Sequence, residues 1–169
     1  MMDDPRINVP LLKQEMAANE LDVLVAASQE NFTYVTQTSL LSQTILPGRL
    51  CFAVVPRDGT PSAFVCYCEE LQMREDSWIE DIDIYVEFQE DPAEALAGYL
   101  KDRGFRKARI GIEKRFLAVQ YVERLAESLP DADLIGADRA WDAARAVKTS
   151  AEIEVLTDAA LATERALQE

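Results

Sequence analysis

Residues 21–28, LDVLVAAS, form an unbroken apolar run only a few residues long. A run of this length, apolar at successive positions, suits a strand covered on both faces. That requirement constrains the fold more than any other feature, because structure must lie above and below the strand. RLCFAVVP (49–56) is expected as a second strand, and SAFVCYC (62–68) returns beside it across the turn Arg57-Asp58-Gly59-Thr60 as a hairpin. DIDIYVEF (81–88) alternates, with Ile82, Ile84, Val86 and Phe88 on one face and Asp81, Asp83, Tyr85 and Glu87 on a wet one. RIGIE (109–113) and ADLIGAD (132–138) complete the strands.

Helices are expected between them. Residues 5–20 place Ile7, Leu11, Leu12 and Met16 on one side. Asp91-Pro92-Ala93-Glu94 is a helix start, with Asp as N-cap and Pro at the first helical position, and that helix closes at Gly104. Residues 116–129 carry Ala118, Val122, Leu125 and Leu129 on one face before Pro130, and residues 139–147 lead into the last helix. In that last stretch, KTSAEIEVLTDAALATERALQE, Thr149 is the N-cap and Glu152 completes a capping box. Ile153, Leu156, Ala160 and Leu167 then recur at helical spacing, and the apolar strip runs to Glu169 without a Gly or Asn stop. EELQMREDSW fits a helix or an irregular crossover, and NFTYVTQ together with the polar stretch up to Pro47-Gly48 is assigned no element. Strands alternating with helices argue for an α/β layer architecture, and the early hairpin makes the sheet mixed.

The chain has no histidine, which removes Ser-His-Asp and Cys-His nucleophile systems and His-bearing zinc sites. A net charge of −14 disfavours nucleic-acid and anionic-membrane partners. No apolar run approaches the roughly 18 residues of a membrane span, and MMDDPRINVP lacks the plan of a secretory signal, so cytoplasmic residence is the expectation. Cys66 and Cys68 share a strand face, unbridged, and are expected as buried inert thiols, since a metal or redox role needs a CxxC pair or a further ligand cluster.

The acidic run IEDIDIYVEFQED lacks the Gly and Glu of a Ca²⁺ loop and is expected as a solvated face. The six glycines are scattered, with no phosphate-loop pattern, and Gly98 is expected to relieve packing inside a helix. Arg145 and Lys148 complement the end of one helix at the start of the next. Arg49, at the mouth of a strand, is placed to grip a carboxylate with both arms of its guanidinium, and one of the chain's own acids is the simplest partner.

LDVLVAASQENFTYVTQ, with Asp22, Asn31, Tyr34 and Thr36, resembles the opening of the creatinase/prolidase, or pita-bread, hydrolases. ARAVKTSAEIEVLTDAALATERA, with Arg145, Lys148, Thr149, Glu152 and Ile153, resembles their interdomain junction, and the hairpin and RIGIE lie between in the same order. Gln37 departs from the pattern, where many members carry Gly.

The resemblance implies an α/β, three-layer ribonuclease H-like domain, with a mixed, mostly parallel sheet flanked by helices, over residues 1–148. Residues 149–169 are then the start of the first helix of an absent C-terminal catalytic domain. It implies a non-catalytic domain that shapes substrate access and dimerisation in a Xaa-Pro peptidase-like hydrolase acting on a peptide or small molecule. Residues 37–49 would be the loop that reaches a neighbouring subunit's site, with Arg49 touching a substrate carboxylate. No cofactor is implied for this chain. The parent would carry two divalent metals (Mn, Co or Zn) on Asp, Asp, His, Glu and Glu if peptidase-like, and none if creatinase-like. The alternatives are a free-standing binding or scaffold module of the same fold and a carboxylate-metal nuclease.

Overall fold

The computed structural model describes residues 7–46 and 48–168. Chain order begins α1 (Val9–Ala18), β1 (Val23–Ala26), α2 (Gln29–Thr36), α3 (Leu41–Ile45), β2 (Phe52–Pro56) and β3 (Ser62–Cys66). After a 3₁₀ turn at Tyr67–Glu69 come α4 (Glu70–Asp76), β4 (Ile82–Tyr85) and α5 (Pro92–Asp102). A second 3₁₀ turn, Phe105–Lys107, precedes β5 (Arg109–Ile112), α6 (Val119–Ser128), β6 (Asp133–Gly136), α7 (Asp138–Ala146) and α8 (Ser150–Gln168).

The strands form one sheet in the order β4-β3-β2-β1-β5-β6. β1–β5, β5–β6 and β3–β4 pair parallel, and β2 runs antiparallel to both β1 and β3. The alternation of a strand's side chains sorts them into two cores. Leu24 and Ala26 face one core, shared with Leu12 and Met16 of α1, Phe32 and Val35 of α2, Met73 of α4 and Trp141 of α7. Val23 and Val25 face the other, shared with Leu96 and Leu100 of α5 and Leu125 of α6. Helices therefore cover both faces, as the apolar run 21–28 demands. Each such buried side chain contributes roughly 1.5–3 kcal/mol of transfer free energy.

All six expected strands are present, and so are the helices at 5–20 (trimmed to Val9–Ala18, with residues 5 and 6 outside the described residues), 91–104, 116–129 and 139–147. EELQMREDSW resolves as helix, mostly α4. The unassigned NFTYVTQ is α2: Ser28 Oγ accepts from the Asn31 N–H at 3.2 Å as an N-cap, and Phe32 and Val35 are buried. The β-prone residues Phe32, Thr33, Tyr34, Val35 and Thr36 hid that helix from a propensity reading.

Four details differ from expectation. β4 ends at Tyr85, which is buried where a wet face was expected. Phe88 has left the strand: its φ is 66° and its side chain is 95% exposed, because the chain turns there with Glu90 N–H donating to Val86 O. Cys68 is exposed on the 3₁₀ turn, not buried on the strand, because β3 stops at Cys66. Gly98 relieves no packing, since nothing lies within 4 Å of where a Cβ would stand. The close approach is instead at Gly111, where a Cβ would meet Leu24 Cδ2 at 2.6 Å and the Ala137 Cβ at 2.8 Å.

Candidate functional site

Because only β2 runs backwards, the carboxyl ends of the other five strands and the start of β2 share one edge of the sheet. In α/β sheets, ligands bind beyond such ends where the strand order changes direction. Here that point lies between β1 and β5, and a side chain of the protein fills it. Glu113, just past β5 and 3% exposed, accepts hydrogen bonds from the backbone N–H groups of Ala27 (2.5 Å) and Ser28 (2.9 Å) and from Asn31 Nδ2 (2.6 Å). A buried carboxylate facing three donors at a helix N-terminus is well satisfied. Glu113 carries no site role in the sequence reading; an acid directly after a buried strand is the signal that marks it.

Asn31 extends the network, its Oδ1 accepting from Arg145 Nη1 at 3.2 Å. Lys148 Nζ donates to Arg145 O and so caps the end of α7. The Tyr34 hydroxyl accepts from the Asn8 N–H at 2.7 Å and donates to Ala144 O at 3.5 Å, while Asn8 Nδ2 donates to Val147 O at 2.9 Å. Burial raises the phenol pKa of Tyr34, against the lowering effect of the Asn8 hydrogen bond, so the hydroxyl stays protonated and able to donate. The capping box is formed in both directions: Thr149 Oγ1 accepts from Glu152 N–H at 3.1 Å, and Glu152 Oε2 from Thr149 N–H at 2.8 Å. Tyr34, Arg145, Lys148, Glu152, Gln37 and Leu156 line an open pocket of about 310 Å³. The two motif blocks, more than 100 residues apart in sequence, thus meet at the root of α8. Thr36 does not join them; its Oγ1 donates to Phe32 O at 2.9 Å beneath the end of α2.

Beyond its capping box, α8 projects away from both cores. Every residue from Ile153 to Gln168 is exposed, including Val155, Leu156, Leu161 and Leu167, so the helix does not fold back onto the sheet.

Arg49 lies further along the same edge. Its Nε and Nη2 donate to Glu87 Oε1 (3.0 Å) and Oε2 (2.6 Å), and Nη1 lies 3.6 Å from Glu69 Oε1. The two-armed grip expected for this residue is therefore made, on the protein's own acids. Its charged form is strengthened first by the Glu87 hydrogen bonds. In the acidic strand, Arg103 Nη2 lies 2.8 Å from Asp81 Oδ1 and Nη1 lies 3.9 Å from Asp83 Oδ2. Arg103 thereby supplies counter-charge to both exposed carboxylates.

Fold and site together define a layered α/β domain whose polar network fixes the base of a projecting helix. The chain belongs to the creatinase/prolidase N-terminal domain family, whose model matches residues 9–147. It is 24% identical over 166 residues to an uncharacterized hydrolase/peptidase, y4tL, of Sinorhizobium fredii, covering 93% of this chain and 42% of that protein. The fold is similar to that of the prolidase from Pyrococcus furiosus (TM-score 0.69, 21% identity, 95% of this chain and 44% of that one). It also resembles the N-terminal domain of the cytoplasmic peptidase PepQ from Mycobacterium tuberculosis H37Rv (TM-score 0.61, 18% identity, 80% and 95%). The chain thus spans well under half the length of the curated relative it matches.

Proposed function

We propose that the chain acts as the non-catalytic N-terminal domain of a cytoplasmic, homodimeric Xaa-Pro peptidase-like hydrolase. It shapes access to an active site carried by a catalytic domain C-terminal to α8, where a peptide or small molecule is turned over. The observation that carries this reading is the convergence of Asn31, Tyr34, Arg145, Lys148, Thr149 and Glu152 on the base of α8, which presents uncovered apolar residues beyond it. Such a joint is of use where a rigid domain must aim the helix that follows it. Among the described residues no helix is long and apolar enough to cross a membrane.

The peptidase metal set of Asp, Asp, His, Glu and Glu does not fit this chain, which has no histidine. The grouping found within reach of one ion among the described residues is Cys66, Cys68 and Glu87, of different chemistry. The two metals of the peptidase reading would belong to the catalytic domain. A creatinase-like parent would need none.

Within this reading Arg49 contacts a substrate carboxylate, and it must trade Glu87 for that partner. Kinetics on a Xaa-Pro dipeptide test both parts. Residues 1–169 alone give no turnover with Mn²⁺, Co²⁺ or Zn²⁺, whereas the protein with its catalytic domain does. In that protein Arg49→Ala raises KM about 10- to 100-fold, the scale of a lost charge-assisted hydrogen bond. Turnover by the chain alone contradicts the domain assignment, and an unchanged KM removes the role of Arg49.

A further inference from the structure

In the sequence, Cys66 and Cys68 have too few neighbours to hold an ion. The fold supplies the rest. β3 and β4 pair in parallel with Cys66 opposite Tyr85, so the segments that follow carry Cys68 and Glu87 to the same place. The two sulfurs lie 3.2 Å apart, and with a Glu87 carboxylate oxygen they form a group whose ligand atoms all fall within 4.8 Å of one another. Glu69 adds a second carboxylate, its Oε1 3.8 Å from Cys68 Sγ. Arg49 grips Glu87 from the side and fixes the plane of its carboxylate, as outer partners of metal ligands commonly do.

We propose that Cys66, Cys68 and Glu87 bind a single divalent cation of the Zn²⁺ class.

The donor set selects the ion. Two thiolates with carboxylates favour a borderline-soft cation over Mg²⁺ or Ca²⁺, which take oxygen ligands. Tetrahedral zinc, with sulfurs at about 2.3 Å, holds them about 3.8 Å from each other, so the pair must open by about 0.6 Å. Cys68 can supply that movement because it is exposed on the 3₁₀ turn, while Cys66 is buried in the sheet. The site is therefore closed on one side and open to solvent on the other.

Charge balance agrees. The two thiolates and two carboxylates would face the cation and the Arg49 guanidinium, leaving a small net negative charge. A bound cation deprotonates its coordinating thiols outright. The inference does not depend on the role of the chain as a domain.

Titration of the reduced chain with Co²⁺, then Zn²⁺, in the absence of oxygen tests it. One equivalent of Co²⁺ should produce a thiolate-to-cobalt charge-transfer band, and Zn²⁺ should bleach it. The unfolding temperature should rise with Zn²⁺ concentration and return with chelator. Cys68→Ser, at an exposed position, should at least halve the band, because one of the two thiolates is lost, and Glu87→Gln should weaken Co²⁺ binding about 10- to 100-fold. Cobalt bound without a charge-transfer band means carboxylate binding on an acidic surface and overturns the proposal. A band undiminished by Cys68→Ser overturns it equally.

Discussion

Gln37 ends α2 in left-handed backbone, with φ 58° and ψ 18°, a conformation that costs an L-residue about 1 kcal/mol and glycine little. Glycine would take this geometry without that cost. Here the side chain offsets the strain, because Gln37 Nε2 donates to Tyr34 O at 2.6 Å. Gln37→Gly relieves the strain and loses the bond, so its stability in urea should stay within about 0.5 kcal/mol of the parent. Gln37→Ala keeps the strain and loses the bond, and should cost about 1 kcal/mol. Equal losses in both variants would show that the bond contributes nothing. Arg49, Arg145 and Lys148 were legible as residues that bind something, because charge and position mark them. The end of α7 was read as the place Lys148 serves, but the partners of Arg49 and Arg145 were not, since Glu87 and Asn31 are supplied by sheet pairing and by a helix from the other end of the chain. Glu113 was missed for the same reason: its three donors lie more than 80 residues away.

At the scale of elements, the strands were easiest to find in the sequence. A strand buried on both faces must be apolar throughout, as 21–28, 49–56 and 62–68 are. α2 was hidden because its local propensity opposes its fate, and the cores that bury Phe32 and Val35 decide the matter. β4 was expected longer than it is because its alternation continues past Tyr85 while the backbone turns at Val86. The Thr149–Glu152 capping box was legible because both partners lie within one turn. Thr149→Ala should remove about 1 kcal/mol from α8. Since α8 buries no side chain, the far-UV helix signal should fall while the urea midpoint of the domain stays in place. A midpoint that falls in step would mean that α8 is part of the cooperative core.

For the whole molecule, one sheet and two cores form without any residue of α8, and a polar joint lies at the base of that helix. The α/β class and the mixed sheet followed from the order of apolar runs. The joint did not, because it is assembled from two ends of the chain whose meeting depends on β1 and β5 lying side by side. An exposed helix of 19 residues held only at its base is marginal by itself. Under the proposed function, α8 is aimed by this domain and covered by a catalytic one. Amide hydrogen exchange across Ile153–Gln168, in this chain and in the protein carrying its catalytic domain, tests it most directly. The account predicts protection of no more than about 100-fold in the chain alone, near the local-opening limit, and a rise of several orders of magnitude when the catalytic domain is present. Equal protection in both would contradict it.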